Sequence, residues 1–205
     1  MKFNRWYIPI EKFLKPEQTI VEIGCGKGEF LSYLKEKKFK NLFGFDILNI
    51  NKEFIKRIDV EKDIIPFKNE SVDVVLMVEV IEHLINPYHI LREIRRILKK
   101  EGVLIISTHN QVNILMRLLF LFGITNPTND VSRQYDKGPN KHHMYGHLRT
   151  YSKKILIKVT AKEGFKKITN ASWICLFGIF IRTPSFLTSL LSQHLLYVFK
   201  KNDEP

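Results

Sequence analysis

Apolar residues along this chain fall into short blocks whose period alternates between strand-like and helical. Thr19–Ile23 is a brief apolar run that ends at Gly24, the pattern of a buried strand. Gly28–Lys37 then carries Phe30, Leu31 and Leu34 at helical spacing. Asn41–Asp46 reads as a second strand ending on an acid, and a short third strand is expected around Arg57–Val60. Val72–Val78 is nearly all apolar, as in a strand covered on both faces. Over Pro87–Lys100, Ile90, Leu91, Ile94, Ile97 and Leu98 form one stripe and the basic residues lie elsewhere; this predicts an amphipathic helix stopped by Gly102. Val103–Ser107 is the next buried strand. Strands alternating with helices predict an α/β fold with a parallel sheet and right-handed crossovers.

The rhythm breaks at Asn110. Val112–Ile124 is an apolar helix candidate, and Thr125–Tyr145 is rich in Asn, Pro, Gly and His. A stretch that long without a clear element is expected to be a functional loop or lid. Beyond it, Ser152–Glu163 reads as a helix, Phe165–Ile174 as a strand and His194–Lys200 as the last strand. The chain is expected to be one domain over 1–205, with 1–18 a helical lead-in and 111–150 a variable insertion covering the substrate.

The 205 residues, 44% hydrophobic and 26% charged, suit a soluble globular domain and exclude a disordered chain or a collagen-like fibre. Two cysteines, Cys25 and Cys175, exclude a disulfide scaffold and suggest a reducing compartment. Lys+Arg minus Asp+Glu is 33 − 21 = +12, which raises a nucleic-acid or anionic-lipid reading beside that of a lysine-rich surface. The start lacks the apolar core of a secretory signal, so a cytoplasmic location is expected. The tail from Ala171 to Phe199 carries one fixed charge, Arg182, but Pro184, Gln193 and His194 interrupt it; buried strands and an apolar lid fit better than a spanning helix.

The chemical signal is V-E-I-G-C-G-K-G-E-F, residues 21–30. Glycines between a strand and a helix let a ligand approach the main chain beside a helix N-terminus. Asp46 ends the next strand, where an acid can accept both hydroxyls of a ribose. A dinucleotide site expects G-x-G-x-x-G. Here the spacing is G-x-G-x-G, with Glu22 two residues before the first glycine.

That pattern resembles the class I S-adenosylmethionine (SAM)-dependent methyltransferases, small-metabolite branch. P-F-K-N-E-S-V-D-V-V (66–75), E-V-I-E-H-L (79–84), L-K-K-E-G-V-L-I-I-S (98–107) and H-L-R-T-Y-S (147–152), followed by E-G-F (163–165), are similar to further segments of that group. Val72 stands in place of the usual Phe. The resemblance implies a Rossmann-like, doubly wound sheet, mostly parallel with an antiparallel last strand and helices on both faces. It implies SAM as cofactor. Glu22 would meet its methionine end, with Gly24, Cys25 and Gly26 passing along it by their backbone. Asp46 would hold the ribose and Ile47 the adenine face. Asp59 and the Val60 amide would meet the adenine edge, with Asp63 as an alternative to Asp59. Glu79 would lie near the cofactor.

His83, after the fourth strand, and His147, in the covering segment with His142 and His143, are the candidate bases. Glu79, Glu82 and His83 stand at i, i+3 and i+4, where one helical face could hold a divalent metal, as in some relatives. The alternative is a metal-free segment. The expected acceptor is a small, amphiphilic or lipid-linked metabolite, possible at a membrane surface; RNA methylation, or cofactor binding without turnover, are the competing readings.

Overall fold

This computed structural model describes residues 7–124, 147–176 and 179–202. The loop expected at Thr125–Tyr145, with His142 and His143, lies outside the described residues.

The parallel half of the sheet forms where the apolar runs predict it. β1 (Thr19–Ile23) sits between β2 (Asn41–Asp46) and β4 (Val72–Val78), with β3 (Ile55–Arg57) outside β2 and β5 (Leu98–His109) outside β4, all neighbours parallel. β9 (His194–Lys201) runs antiparallel to β5, pairing Val103 with Lys200 through His109 with His194. The antiparallel last strand is therefore present, but it is not alone. β6 (Phe165–Asn170) and β7 (Trp173–Leu176) also pair antiparallel with β9, and β8 (Ile179–Arg182) closes a hairpin on β7.

Several element limits differ from the sequence expectation; β5 is longer than Val103–Ser107, and the helix Ile114–Leu121 is shorter than Val112–Ile124. The segment Phe165–Ile174 is two strands, because the Asn170 side chain accepts from Ser172 N (3.0 Å) and Oγ (2.6 Å) and turns the chain there. The third strand begins at Ile55, whose buried side chain packs in the core, and not at Arg57. The helix α3 ends at Ile97 and not near Gly102, since Leu98 is extended (ψ 136°), wholly buried and already paired with Val72.

Helices cover both faces. α2 (Glu29–Glu36) buries Phe30, Leu31 and Leu34 against Ile20, Leu42, Val74 and Val198. Tyr7, just before α1 (Ile8–Glu11), stacks on Phe30 at 4.1 Å. On the other face α3 (Pro87–Ile97), capped by the Asn86 side chain accepting from Tyr88 N, buries Ile90, Leu91, Ile94 and Ile97. α5 (Lys153–Lys162) adds Leu156 to that core. α4 (Ile114–Leu121) behaves differently: none of its eight residues is buried. A short helix α6 (Thr188–Leu191) precedes β9. No helix among the described residues is long and apolar enough to cross a membrane.

Candidate active site

The carboxyl ends of β1, β2 and β4 gather the sequence-marked residues. After β1 the chain turns through Gly24, Gly26 and Gly28, with φ of 66°, 53° and 65°. The turn is pinned by Gly24 N and Cys25 N donating to Phe45 O (2.7 and 3.2 Å). A Cβ on Gly24 would sit 2.3 Å from Val80 Cγ2, whereas one on Gly26 would meet nothing within 4 Å. Gly24 is thus needed for packing, and Gly26 borders open space that a ligand can enter.

Asp46 lies under this loop. Its Oδ2 accepts from Gly26 N at 2.7 Å and its Oδ1 from Leu48 N at 2.9 Å. Each oxygen keeps a further lone pair for a ligand hydroxyl. Glu22 is 1% exposed, and its Oε2 has no hydrogen-bond partner. Burial pushes its pKa up to about 8, against a hydrogen bond with Tyr7 and with help from the charge of Asp46. Burial also raises the Cys25 thiol, so it stays protonated; the buried Sγ is a packing group and not a reactive thiolate.

Ile47, Asp59 and Asp63 line one cavity of about 310 Å³ with Arg57 and Ile58. The two acids expected as alternatives form one turn: Asp63 Oδ2 accepts from Asp59 N at 2.9 Å. Val60 lies against the core beside them.

The second cluster lies where β4, β5 and β9 end or begin together. Glu79 follows β4 in the left-handed region (φ 54°), so the five residues Glu79–His83 do not form a regular helical face; only Ile81–His83 make a single 3-10 turn. The Glu79–Glu82–His83 set, weighed against a metal-free segment, is not among the ligating sets found in the described residues. Glu79 Oε1 accepts from Ser107 Oγ at 2.6 Å and lies 3.5 Å from His194 Nδ1, while Oε2 lies 2.6 Å from His109 Nδ1. Glu82 is 1% exposed and points toward His109 Nδ1 (3.7 Å) and His147 Nε2 (4.0 Å). His83 packs edge-on against His147, with ring centroids 5.1 Å apart.

Among the described residues, two sets bring ligating atoms within 4.8 Å of one another: Glu79, His109 and His194, and Glu82, His109 and His147. His83 is in neither. His109 and His194 were not marked by motif. Their signal is positional: His109 closes the strand run L-I-I-S-T-H, His194 opens the last strand, and an antiparallel pairing brings those two ends together.

Burial lowers the His109 pKa, but hydrogen bonds and charge from Glu79 and Glu82 more than reverse this and push it up to about 9. Burial, with the charges of His109 and His83, brings His147 down to about 4. Burial opposes ionisation of Glu79, yet His109 and His194 hold its carboxyl far below the usual range. Burial raises Glu82, and the charge of Glu79 adds to this against a hydrogen bond from His109.

The H-L-R-T-Y-S segment reaches this cluster through Arg149. Its backbone N donates to Glu82 O at 3.0 Å, its Nε to Leu84 O at 3.0 Å, and its terminal nitrogen to Ile85 O. His147 is thereby fixed beside Glu82, and Gln111 Nε2 lies 3.5 Å from its Nδ1.

A parallel sheet with a glycine turn after its first strand and an acid at the end of its second defines a nucleotide-cofactor enzyme of the Rossmann-like kind. Residues 4–170 match the model of a methyltransferase domain family, and the chain belongs to that family as a SAM-dependent methyltransferase. An uncharacterised protein of Methanocaldococcus jannaschii is 27% identical over 190 residues, 91% of this chain and 72% of that protein. Among solved structures, a SAM-dependent methyltransferase of Thermotoga maritima, described as a possible histamine N-methyltransferase, aligns with TM-score 0.67 and 23% identity over 97% of this chain and 93% of its own. A putative methyltransferase of Haloferax volcanii, solved with the Trm112 methyltransferase activator, aligns with TM-score 0.63 and 18% identity over 97% and 91%. These structural likenesses establish a shared fold.

Proposed function

We propose that this chain transfers the methyl group of SAM to a small, amphiphilic or lipid-linked acceptor held over the Glu79–Glu82–His83–His109–His147–His194 cluster. The observation that carries this reading is the pairing of two features at one end of the sheet. A glycine turn with open space at Gly26 lies there, and so does a buried group of two carboxylates and several imidazoles. The first suits the cofactor and the second suits the acceptor.

The residues present fit the cofactor. The orphaned Glu22 Oε2 would accept from the methionine ammonium. Gly24, Cys25 and Gly26 would line its length, and the free lone pairs of Asp46 would take the ribose hydroxyls. Ile47, 40% exposed on its cavity, would pack on the adenine, with Asp59 and the Val60 amide at its edge. SAM supplies a sulfonium methyl that is already electrophilic, so the protein's task is mainly alignment and exclusion of water. His83 and His147 would accept a proton from the attacking group. Glu79 belongs to this histidine side in our reading, because Ser107, His109 and His194 already engage its carboxylate.

α4 supports the amphiphilic acceptor. It leaves the site directly after β5 and exposes Ile114, Leu115, Leu118 and Leu121, followed by Phe122 at 80% exposure. An apolar rim of that kind suits a lipid tail or a membrane surface at the cytoplasmic face. Segment 111–150 as a whole is the acceptor's cover in this reading. The test is incubation of the protein with methyl-labelled SAM and separate lipid, small-metabolite and RNA extracts. Label is expected in a lipid or small-metabolite fraction. Label confined to RNA, or none in any fraction despite cofactor binding, overturns the reading.

A further inference from the structure

We propose that Glu79, His109 and His194 form a binding site for one divalent transition-metal ion, of the class of zinc or cobalt. The three donors come from three consecutive neighbours in the sheet: the residue after β4, the last residue of β5 and the first of β9. His109 and His194 are direct partners in the β5–β9 ladder, so backbone pairing fixes the spacing of their rings. Their ring centroids are 4.4 Å apart, and both Nδ1 atoms face the Glu79 carboxylate, at 2.6 and 3.5 Å.

The surroundings are those a ligand set needs. Ser107 Oγ donates to Glu79 Oε1 at 2.6 Å and orients the carboxylate. Trp173 stacks on the His194 ring, with 13° between planes, and fixes that ring.

Glu82 closes the same pocket: it is 1% exposed, and one of its carboxylate oxygens lies 3.7 Å from His109 Nδ1. A second buried carboxylate beside the ligand set adds negative potential that favours a bound cation. Two imidazoles with one carboxylate favour a borderline ion over magnesium or calcium, which prefer oxygen donors. Three protein ligands also leave a coordination position open.

The role of that open position rests on the methyl-transfer reading above; the binding itself does not. The ion would draw in a hydroxyl of the acceptor. The hydroxyl proton would pass to His83 or His147, the bases assigned above, the oxygen would bond to the methyl carbon, and the electrons of the broken S–CH3 bond would stay on sulfur.

The test is a cobalt titration of chelator-treated full-length protein, followed by visible d–d absorption and competed with zinc. Binding of about one cobalt per chain is expected, with a d–d spectrum of low coordination number. His194→Ala and Glu79→Gln should each weaken binding at least about a hundredfold, and Ser107→Ala about 10–100-fold. His147→Ala should leave it unchanged. Circular dichroism checks folding, and if the ligand variants do not fold, Ser107→Ala decides. The proposal is overturned by absent binding, by binding that survives the decisive variant, or by loss in His147→Ala, which would move the ion to the Glu82 set. Calorimetry with S-adenosylhomocysteine in chelator, on the same protein, reports the methyl-transfer reading separately.

Discussion

Asp46 has two tasks that one substitution can separate from folding. Its carboxylate anchors Gly26 N and Leu48 N, and in our reading it also takes the ribose hydroxyls. Loss of charge-assisted hydrogen bonds worth about 1.5–3 kcal/mol each should lower calorimetric affinity of Asp46→Ala for S-adenosylhomocysteine at least tenfold. Glu22 gives a pH signature. With a folded pKa of about 8 against an ordinary 4.5, the folded chain holds a proton that the unfolded chain releases between those values. That contribution is complete below about 4.5 and is lost as pH rises through 8, so the stability of the unliganded protein should fall across this window. Glu22→Gln should flatten the profile when melting temperature is followed against pH. Binding of the cofactor's ammonium should expel the proton, so S-adenosylhomocysteine affinity should rise with pH up to about 8 in wild type and not in Glu22→Gln. A flat wild-type affinity profile would remove Glu22 from the site.

The elements show which parts of this site the sequence could announce. Gly24, Gly26, Asp46 and Ile47 were legible because one β-α-β unit, β1–α2–β2, brings them together locally. Asp59 and Asp63 were legible only as alternatives, since a five-residue turn brings both to one cavity. The Glu79–Glu82–His83 spacing allowed a metal-bearing or a metal-free segment, and it could not choose, because a helical face depends on the backbone at Glu79, which enters the left-handed region. His109 and His194 were invisible as a pair: 85 residues separate them in sequence, and only the β5–β9 ladder joins them. The turn itself can be tested by contrast. Gly24→Ala forces a Cβ to 2.3 Å from Val80 and should destabilise the fold by about 1–3 kcal/mol. Gly26→Ala meets no neighbour, so it should cost less stability while losing more cofactor affinity. Thermal melts and calorimetry on both variants separate the effects; equal stability losses with equal affinities would contradict the assignment of open space at Gly26 to the ligand. On α3, Ile94→Ala should cost about 2–5 kcal/mol in denaturant unfolding, because Ile94 is wholly buried against the sheet.

At the scale of the whole molecule, a parallel half-sheet provides the glycine turn and, at the end of β5, His109, while the antiparallel half supplies His194 at the same end. In our reading the +12 charge and exposed α4 would act at a membrane surface, at long and short range. Vesicles carrying anionic lipid should bind the protein more weakly as salt rises past about 0.15 M, where screening acts within about 8 Å. An apolar contribution from α4 should leave residual binding that Leu118→Glu removes. Salt-insensitive absence of binding would restrict the acceptor to small metabolites free in solution.

The central claim is that the glycine turn, Glu22 and Asp46 hold SAM. The most direct measurement is calorimetric titration of S-adenosylhomocysteine into wild type and Asp46→Ala, with NAD as the competing ligand. The account predicts saturable binding near one per chain in wild type, at least tenfold weaker in folded Asp46→Ala, and no competition by NAD. Unchanged affinity in Asp46→Ala, or NAD binding tighter than S-adenosylhomocysteine, would contradict it.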